Sequence, residues 1–303
     1  MKNIIEHILS LWEIKHNQLL QIAPSVWEIN NSYILKIFDK KTRLAKNIKI
    51  IEILSEFGIP VANIVYTKTG ETYVEYNNNY FLMTKKLQGN NLSYINDKTI
   101  AQKIGCAIAK LHIAFIKCEK EFDFPDNCLL REMKGWILET LTNNEWKIIS
   151  KDEYLKTVEL LENTYNFLPK QLIHRDIHLG NFLFLEDNLS GFLDFDLSQK
   201  SIRIFDVCYF LSSLLSAKTE EPFSENEWLE NVKHVIAGYE SINSLSAKEK
   251  DAIPCVMECT EILLAAYYIK KEDTKRANIA YNEFQFIKNC ETDIKNAINQ
   301  NVP

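Results

Sequence analysis

The chain has 303 residues, of which 46% are hydrophobic, and its formal net charge is −6. A chain of this length forms one large two-lobed domain or two modest ones, and the hydrophobic content supports a sizeable core. The negative charge argues against general nucleic-acid binding, which needs a basic face. It is compatible with a cationic substrate and excludes little else.

The cysteines and the apolar segments favour a cytoplasmic protein. The seven cysteines are odd in number and include no C-x-x-C pair, so we expect reduced thiols. Charged residues interrupt the N-terminal segment, which therefore lacks the apolar region of a signal peptide. The longest later charge-free apolar run, residues 207–217, is too short to span a bilayer, so no membrane partner is expected.

The first third of the chain alternates short β-like runs with turns. A helical pattern at Leu44, Ile48, Ile51 and Leu54 follows the first run and ends at Gly58. The predicted strands are residues 33–38, 62–67, 71–76 and 79–84.

After Gly89 helical patterns dominate, and only the segment 172–196 has the pattern of strands again. The predicted helices are residues 99–115, 136–141, 154–167, 205–216, 228–239, 254–270 and 274–299. This layout predicts an α+β fold with a small β-sheet lobe, residues 1–88, and a larger, mainly helical lobe, residues 89–303. A cleft between lobes is a common ligand site, so the functional residues are expected there.

The segment 172–196 carries an unusual number of polar groups between apolar runs. His174, Arg175 and Asp176 are followed by Asn181, and Asp194 comes after a second apolar run. Phosphoryl transfer from ATP needs a carboxylate to orient the attacking hydroxyl and oxygen ligands for Mg²⁺. Asp176 can serve as the first, and Asn181 and Asp194 can serve as the second if two short strands bring them together.

A hairpin of residues 182–185 and 191–193 provides those two strands, with its turn at residues 186–190. The alternative is a surface loop with capping aspartates, which a lone H-x-D would favour. Here H-R-D-x-x-x-x-N and a later Asp with apolar neighbours occur in the order and separation that a metal-dependent kinase needs, which favours the functional interpretation.

The residues His174 to Asn181, together with Asp194-Phe195-Asp196, resemble the catalytic core of the aminoglycoside phosphotransferase and choline kinase-like enzymes. The usual pattern of that family is H-G-D-x-H-x-x-N followed by a hydrophobic strand that ends in Asp. The resemblance extends from about Trp27 to Leu215. It implies the two-lobed protein-kinase-like fold, with ATP and Mg²⁺ as cofactors, and leaves the acceptor open.

By position, the resemblance implies that Asp176 is the catalytic base and that Asn181 and Asp194 are Mg²⁺ ligands. Asp196 matches the second acid of a D-x-D, and His174 is expected to pack and to hydrogen-bond the metal-binding loop.

Two further residues match the family by position. His178 matches a second histidine whose role is more often structural than metal-binding. Asp206, which opens a helix, is expected to brace the catalytic loop, although such a residue is also an ordinary helix cap.

Two features distinguish the motif from its relatives. Arg175 replaces the usual glycine of this family and is typical of protein kinases. On the other hand, His178 stands where protein kinases have lysine, and neither a D-F-G glycine nor an A-P-E motif follows Asp194.

The small lobe supplies the expected nucleotide contacts. Lys36, on a strand with apolar neighbours, resembles the lysine that contacts the ATP α- and β-phosphates, although a solvated edge-strand lysine is the alternative. Its acid partner is predicted to be Glu52, even though the family's glutamate falls nearer Asn47 or Ile48.

Two backbone segments complete the predicted nucleotide site. No G-x-G-x-x-G occurs, and residues 28–32 are expected to cover the phosphates. Thr84, Lys85 and Leu87 resemble the hinge that meets adenine.

The helices after Phe205 are expected to form the acceptor pocket. An acidic run and several aromatic residues there could bind an amine through charge and cation–π contact, whereas a solvated helix face and a core stripe are equally compatible. These residues are Glu220, Glu221, Glu225, Glu227, Trp228, Glu230, Tyr239, Glu258, Glu261, Tyr267 and Tyr268. Aminoglycosides, choline-like amines, amino alcohols such as homoserine, and sugars all remain possible acceptors.

The sequence therefore predicts an ATP- and Mg²⁺-dependent kinase that phosphorylates a hydroxyl of a small molecule, with cationic molecules among the candidate acceptors. One alternative is an atypical Ser/Thr protein kinase, because of Arg175. A second alternative is a nucleotide-binding pseudokinase, because the helix glutamate is displaced.

Overall fold

A computed structural model describes residues 2–15, 18–216 and 224–300. The chain begins with helix α1 (Lys2–Leu9) and continues into a five-stranded antiparallel sheet. The strands, in the spatial order β1-β2-β3-β5-β4, are β1 (Leu19–Ala23), β2 (Val26–Ile29), β3 (Tyr33–Phe38), β4 (Val74–Tyr76) and β5 (Asn79–Lys85). Helix α2 (Lys41–Glu56) lies between β3 and β4 in the sequence.

The alternation of side chains along β3 gives the sheet two different faces. Leu35 is buried in a core that includes Ile5, Ile8 and Trp12, so one face packs against the N-terminal helix. Lys36 points the other way and lines a cleft on the opposite face. The position of Lys36 in the strand therefore places its ammonium group in the cleft.

The strand predictions are confirmed for residues 33–38 and 79–84, and the predicted strand 71–76 is shortened to β4. The predicted strand 62–67 is wrong, because only an isolated bridge joins Ile64 to Thr84. Strand β4 pairs with the same edge of β5 from Asn79 to Phe81, and residues 63–65 meet the rest of that edge only at this one bridge. Helix α1 and strand β1 were not predicted.

Helices form most of the remaining chain, as predicted. They are α3 (Lys98–Glu121), α4 (Leu129–Glu132), α5 (Leu138–Asn143), α6 (Lys151–Tyr165), α7 (Ile204–Ser216), α8 (Glu225–Glu240), α9 (Ala247–Lys270), α10 (Thr274–Asn289) and α11 (Glu291–Asn299). The predicted helix 274–299 is in fact two helices, because Cys290 leaves the helical region with φ −93° and ψ 10°. A π-helical segment, Met133–Ile137, joins α4 to α5.

Helices α3 and α9 are long and apolar enough to cross a membrane by length and composition alone. Charged residues interrupt both helices, so neither contains a long charge-free run. In the structure, 61% and 67% of their most apolar windows are buried inside the protein, as is usual for core helices. Helix α3 crosses α8 very closely, since a Cβ added at Gly105 or Gly238 would lie 2.0 Å from a backbone oxygen of the other helix.

Two short antiparallel strand pairs position the polar segment of the larger lobe. One pair, β6 (Lys170–Ile173) and β9 (Gln199–Ile202), was not predicted. The other, β7 (Phe182–Leu185) and β8 (Asn188–Phe192), confirms the predicted hairpin, although the second strand begins earlier and the turn is shorter than predicted, residues 186–187. Residues 174–181 connect β6 to β7 and residues 193–198 connect β8 to β9, so both loops lie at the same edge.

The link between the lobes packs directly on the hairpin. Gly89 has φ +115°, and a Cβ there would lie 2.4 Å from Ser190 Oγ and 2.6 Å from the Phe184 oxygen, so a side chain would clash. The next residue, Asn90, forms a bridge with Phe184. The two-lobed α+β fold is thus confirmed, while a boundary at residue 88 stays a prediction.

Candidate active site

Asp206, in the first turn of α7, holds the backbone of the loop that contains the H-R-D motif. Its carboxylate accepts hydrogen bonds from the backbone N–H groups of His174 (2.8 Å) and Arg175 (2.7 Å). His112 of α3 also lies 3.0 Å from the same carboxylate, and its other ring nitrogen lies 2.9 Å from Tyr239 Oη. The Asp206 side chain is fully buried, so its lone pairs are used inside the protein rather than by solvent.

His174 connects the two loops and has a defined neutral tautomer. Its Nε2 lies 2.9 Å from the Leu193 oxygen, which can only accept, so Nε2 carries the proton. Its Nδ1 accepts from the Asp176 N–H at 3.3 Å. Burial lowers the pKa of His174, although the charge of Asp206 opposes this shift. The ring therefore acts as a fixed spacer between the loop with Asp176 and the loop with Asp194.

Arg175 is tied into the larger lobe rather than exposed to the cleft. Its Nη2 lies 2.8 Å from both carboxylate oxygens of Glu132, and its Nη1 donates to Gln199 Oε1 at 2.9 Å. Its φ of +72° is the left-handed conformation that favours glycine, which explains why glycine is usual at this position in the family.

Asp176 has both carboxylate oxygens oriented by neighbours. Tyr209 of α7 donates to Oδ1 at 3.1 Å, and Asn181 Nδ2 lies 3.3 Å from Oδ2 and 2.8 Å from the Asp176 backbone oxygen. The Asn181 amide nitrogen is thus occupied by Asp176, and no described residue donates to its Oδ1. About a quarter of the Asp176 side chain, 25%, is exposed, so a ligand can reach it.

His178 stabilises the turn between the base and Asn181. Its Nδ1 accepts from the Gly180 N–H at 3.0 Å, which caps a short 3₁₀ turn, Leu179–Asn181. Its Nε2 lies 3.2 Å from Asn181 Nδ2 and 3.8 Å from Asp176 Oδ2. These contacts agree with the structural alternative for His178.

Asp194 and Asn181 meet because the hairpin pairs their neighbours: the Leu193 N–H donates to the Asn181 oxygen at 2.9 Å. Asp194 has φ +57°, a conformation that non-glycine residues adopt mainly at constrained sites. Its Oδ1 lies 2.9 Å from Lys36 Nζ. Burial raises the pKa of the Asp194 carboxyl, but the charge and hydrogen bond of Lys36 outweigh this effect and hold it below its ordinary value.

The predicted pair of Lys36 with Glu52 is wrong in this structure. Lys36 Nζ lies 2.9 Å from Asp194 and 2.8 Å from Asp196 Oδ1. Glu52 is near Lys49 on another side of α2. The residue of α2 that lines the cleft with Lys36 is Asn47, which stands where the family's pattern places its glutamate.

Helix α2 meets the loop after Asp194 with basic residues. Arg43 Nη2 lies 3.3 Å from Asp196 Oδ2. Lys46 Nζ donates to the backbone oxygens of Asp196 (2.7 Å) and Ser198 (3.1 Å). Burial lowers the pKa of the Lys46 ammonium group, and the charge of Asp196 opposes this shift.

A cleft of about 500 Å³ lies between the sheet and the hairpin. Its walls combine apolar side chains with Lys36 and Asp194 at one end. The predicted hinge residues Thr84, Lys85 and Leu87 all line it. No described residue accepts a hydrogen bond from the Leu87 N–H, which leaves this donor available to a ligand.

The prediction that residues 28–32 cover the phosphates is wrong. The turn between β2 and β3 lies at the hinge end, where the Lys86 N–H donates to the Ser32 oxygen at 2.8 Å. The turn between β1 and β2 lies at the other end, since the Ile37 N–H donates to the Ser25 oxygen at 2.8 Å. Residues 23–26 are therefore the turn beside Lys36.

Most of the acidic and aromatic residues proposed for the acceptor have structural contacts instead. Trp228 and Tyr239 are fully buried in the core. Glu227 forms a capping box with Ser224, and Glu230 pairs with Lys98 at 2.8 Å.

The remaining aromatic and acidic candidates fall into three groups. The chain's own cations lie over Tyr267 (Lys271, 5.8 Å) and Tyr268 (Arg276, 5.6 Å). Glu258 accepts a hydrogen bond from Thr157 at 2.7 Å, and Glu225 lies in the first turn of α8. Glu220 and Glu221 lie outside the described residues.

Glu261 of α9 is the exception among these acids. It is 1% exposed and lies beside Ser212 and Glu283, although neither of its carboxylate oxygens has a well-formed hydrogen bond among the described residues. Burial, and then the charge of Glu283, raises the pKa of Glu261 well above its ordinary value. Its charge also contributes, after burial, Asp176 and Tyr268, to the raised pKa of Tyr209, which contacts Asp176.

The donor set fits a magnesium ion shared with a nucleotide. Among the described residues, no group of three or more His, Cys, Asp or Glu side chains could hold a metal alone. Mg²⁺ in kinases is held by one or two carboxylates together with phosphate oxygens, and Asp194 with the Asn181 amide oxygen is such a partial set.

Four residues that hold the site residues in place were not predicted from the sequence: Tyr209, Arg43, Lys46 and Asn91. The Asn91 amide donates to the oxygens of Gly180 (2.8 Å) and Phe182 (2.7 Å), which fixes the link between the lobes to the catalytic loop. Helical spacing could have found Tyr209, since it follows Asp206 by three residues on the same helix. No comparable signal identified Lys46.

Comparison with known proteins identifies the family. Residues 21–239 match the model of the phosphotransferase enzyme family. The homoserine kinase of Mesorhizobium japonicum is 37% identical over 87 residues, which is 29% of this chain and 26% of that protein, so the chain matches about a quarter of its length. The homoserine kinase of Neisseria meningitidis serogroup B is 26% identical over 227 residues, covering 73% of this chain and 70% of that protein.

A solved structure of the amicoumacin kinase hAmiN in complex with AMP-PNP, Ca²⁺ and Ami has the same fold. It superimposes with a TM-score of 0.72 and 19% identity, covering 97% of this chain and 93% of the other. The family model spans the sheet, the catalytic loops and the helices as far as α8, which is well over half of the sequence. The chain belongs to the phosphotransferase enzyme family.

Proposed function

We propose that the chain is an ATP- and Mg²⁺-dependent kinase that transfers a phosphoryl group to a hydroxyl of a small molecule. The observation that carries this proposal is the grouping of Asp176, Asn181 and Asp194 at one edge of the cleft lined by Lys36. A carboxylate base, oxygen ligands for a hard cation and a lysine for phosphates are the parts that phosphoryl transfer requires.

Asp176 is the proposed base. Hydrogen bonds from Tyr209 and Asn181 fix its carboxylate plane, so it can orient an acceptor hydroxyl and take its proton as the new phosphorus–oxygen bond forms. Its partial exposure gives the acceptor access from outside the nucleotide cleft.

Asn181 and Asp194 are the proposed metal ligands. The lowered pKa of Asp194 keeps this carboxylate ionised at neutral pH, and Asp176 directs the Asn181 amide oxygen by occupying its nitrogen. A bound Mg²⁺ neutralises charge on the transferring phosphoryl group.

The nucleotide is proposed to lie between the hinge and Lys36. The Leu87 N–H is an available donor for adenine at one end of the cleft, and Lys36 provides a cation for the phosphates at the other. The turn at residues 23–26 lies beside Lys36 and replaces residues 28–32 as the proposed cover for the phosphates.

Two observations weaken the alternatives. Arg175 is typical of protein kinases, but its contacts with Glu132 and Gln199 account for it without a protein substrate. The displaced helix glutamate was the reason for considering a pseudokinase, and Lys36 has two other carboxylate partners.

We also propose that the acceptor carries an amine. Glu261 is a fully buried acid of α9 beside Ser212 and Glu283, and an ammonium group would favour its ionised form, whose burial otherwise costs free energy. The relatives in Mesorhizobium and Neisseria are named homoserine kinases, which makes this amino alcohol the first acceptor to test. The seven free thiols support a cytoplasmic location.

The test is ATP consumption with a panel of acceptors, together with detection of the phosphorylated product by mass spectrometry. L-Homoserine and 4-hydroxybutyrate form a matched pair, because they differ only in the amine. We expect turnover with an amino alcohol and loss of it in Asp176→Asn. Transfer only to protein would favour the protein kinase, and nucleotide binding without turnover on any acceptor would favour the pseudokinase.

A further inference from the structure

The Lys36 ammonium group lies between two carboxylates, of which only one is a proposed metal ligand. It is 2.9 Å from Asp194 and 2.8 Å from Asp196. Asp194 is the proposed metal ligand, and a carboxylate that coordinates a cation is a poor partner for a lysine at the same time. Asp196 is the carboxylate that can stay with Lys36 when metal and nucleotide are present.

Helix α2 offers no acid to Lys36. At 3.6 residues per turn, Glu52 lies roughly 180° around the helix from Arg43, which faces the loop after Asp194. Asn47 lines the cleft instead, and its amide nitrogen donates to the Arg43 oxygen at 3.0 Å. The side of α2 that meets the site is therefore basic and neutral, without a carboxylate.

Basic residues of α2 also hold Asp196. Arg43 lies 3.3 Å from its second carboxylate oxygen, and Lys46 donates to its backbone oxygen at 2.7 Å. The Lys46 side chain is 8% exposed, and its other hydrogen bond, to the Ser198 oxygen, fixes the same loop two residues later. The other carboxylate oxygen of Asp196, Oδ1, is buried, and among the described residues its charged partner is Lys36.

We infer that Asp196 is the positioning residue for Lys36 and that Arg43 and Lys46 anchor it to α2. In the usual arrangement an acid on the helix orients the lysine on the strand. Here the acid lies on the loop after Asp194, and the helix carries the basic residues that hold it. This inference rests on the proposed role of Lys36 in binding nucleotide phosphates.

The test is a double-mutant cycle on the binding of AMP-PNP with Mg²⁺, measured by calorimetry. Lys36→Met is expected to weaken binding about 10- to 100-fold, the value of a charge-assisted hydrogen bond. If Asp196 positions Lys36, the same change in an Asp196→Asn background costs less than about threefold, because the lysine no longer meets the phosphates.

Glu52→Gln provides the matched acid control. The cost of Lys36→Met is expected to stay at its wild-type value in that background. An equal cost of Lys36→Met in the wild-type and Asp196→Asn backgrounds contradicts the inference, as does a reduced cost in Glu52→Gln.

The anchoring step has its own pair of variants on α2. In a Lys46→Met background, Lys36→Met is expected to weaken AMP-PNP binding less than it does in the wild type. In a Lys49→Met background, which removes a lysine paired with Glu121, the effect of Lys36→Met is expected to be unchanged. Arg43→Gln repeats the test at a half-exposed position in case the Lys46 variant unfolds, and thermal unfolding of each variant checks this. Equal behaviour of Lys46→Met and Lys49→Met contradicts the anchoring step. A wild-type chain that binds no AMP-PNP contradicts the proposed function itself, and the inference with it.

Discussion

Tyr209 donates a hydrogen bond to Asp176, with 3.1 Å between the phenol oxygen and Oδ1. Burial, and then the charge of Asp176, raises the pKa of Tyr209, so the phenol remains a donor throughout the neutral range. The bond fixes one oxygen of the proposed base while Asn181 orients the other. Tyr209 therefore belongs to the site as a residue that acts through the base.

Tyr209→Phe tests this relationship. We expect kcat to fall about 10- to 100-fold, because one hydrogen bond to a charged group is lost, while the KM for ATP changes little. Tyr267→Phe, at a half-exposed position on α9, is the control and should retain wild-type kcat. Steady-state kinetics with the acceptor found in the panel checks both. An unchanged kcat in Tyr209→Phe would show that Asn181 alone orients the base.

Asp176→Asn tests the base itself. The change keeps the shape of the side chain and the hydrogen bond from Tyr209, but removes the proton acceptor. General-base catalysis contributes about 10²- to 10⁴-fold, so we expect kcat to fall by that range while the affinity for ATP stays near its wild-type value. A fall of less than about tenfold would mean that Asp176 only orients the acceptor, or that another step limits turnover.

Asp194→Ala tests the metal ligand. We expect turnover to be abolished and Mg²⁺-dependent binding of AMP-PNP to weaken strongly, because a hard cation loses its carboxylate. Binding in the presence of a chelator is the control, since it should depend much less on Asp194. Calorimetry with and without Mg²⁺ separates the two. Near-normal activity would remove Asp194 from the site.

The central motif and the fold were predictable from sequence because their spacing is local. His174, Asp176 and Asn181 lie within a single loop, and the hairpin that brings Asp194 to them is visible as two apolar runs with a turn. Lys36 was recognisable as a lone lysine in an apolar strand. None of these inferences requires knowing how distant parts of the chain pack.

The partner of Lys36 was not predictable, since Asp196 is 160 positions away in the sequence and depends on the rotation of α2. The apolar stripe of α2 suggested one buried face, but the helix packs against both the sheet and the larger lobe. Its buried residues are Leu44, Lys46, Asn47, Ile50, Ile53 and Leu54. Because Lys46 and Asn47 belong to the buried side of α2, Glu52 lies on another side of the helix, away from the site. The same limit applies to Trp228 and Tyr239, whose burial no sequence pattern distinguished from a binding surface.

Glu261→Gln links stability to acceptor recognition. The folded-state pKa of Glu261 is raised by burial and by Glu283, whereas the unfolded value is near 4.5. The unfolded chain therefore releases this proton first, and the contribution to stability is lost as pH rises above about 4.5. We expect Glu261→Gln to unfold at a higher temperature than the wild type at pH 8, with a smaller difference at pH 5.

The same variant should discriminate between acceptors. If Glu261 binds the amine, Glu261→Gln raises the KM for L-homoserine and leaves any turnover of 4-hydroxybutyrate unchanged. Glu258→Gln is the control, because Glu258 is also buried on α9 but is satisfied by Thr157. Equal effects of the two variants on the KM for L-homoserine would remove Glu261 from the acceptor site.

Arg175 offers a test of backbone strain against side-chain contacts. Its left-handed backbone, with φ +72°, costs about 1 kcal/mol in any residue but glycine. Arg175→Ala keeps this strain and loses the contacts with Glu132 and Gln199, whereas Arg175→Gly loses the same contacts but relieves the strain. We therefore expect Arg175→Gly to be more stable than Arg175→Ala by about 1 kcal/mol in denaturant unfolding. If Arg175 only supports the loop, both variants keep kcat/KM in proportion to their folded fraction; a large and equal loss in both folded proteins would place the guanidinium group at the acceptor.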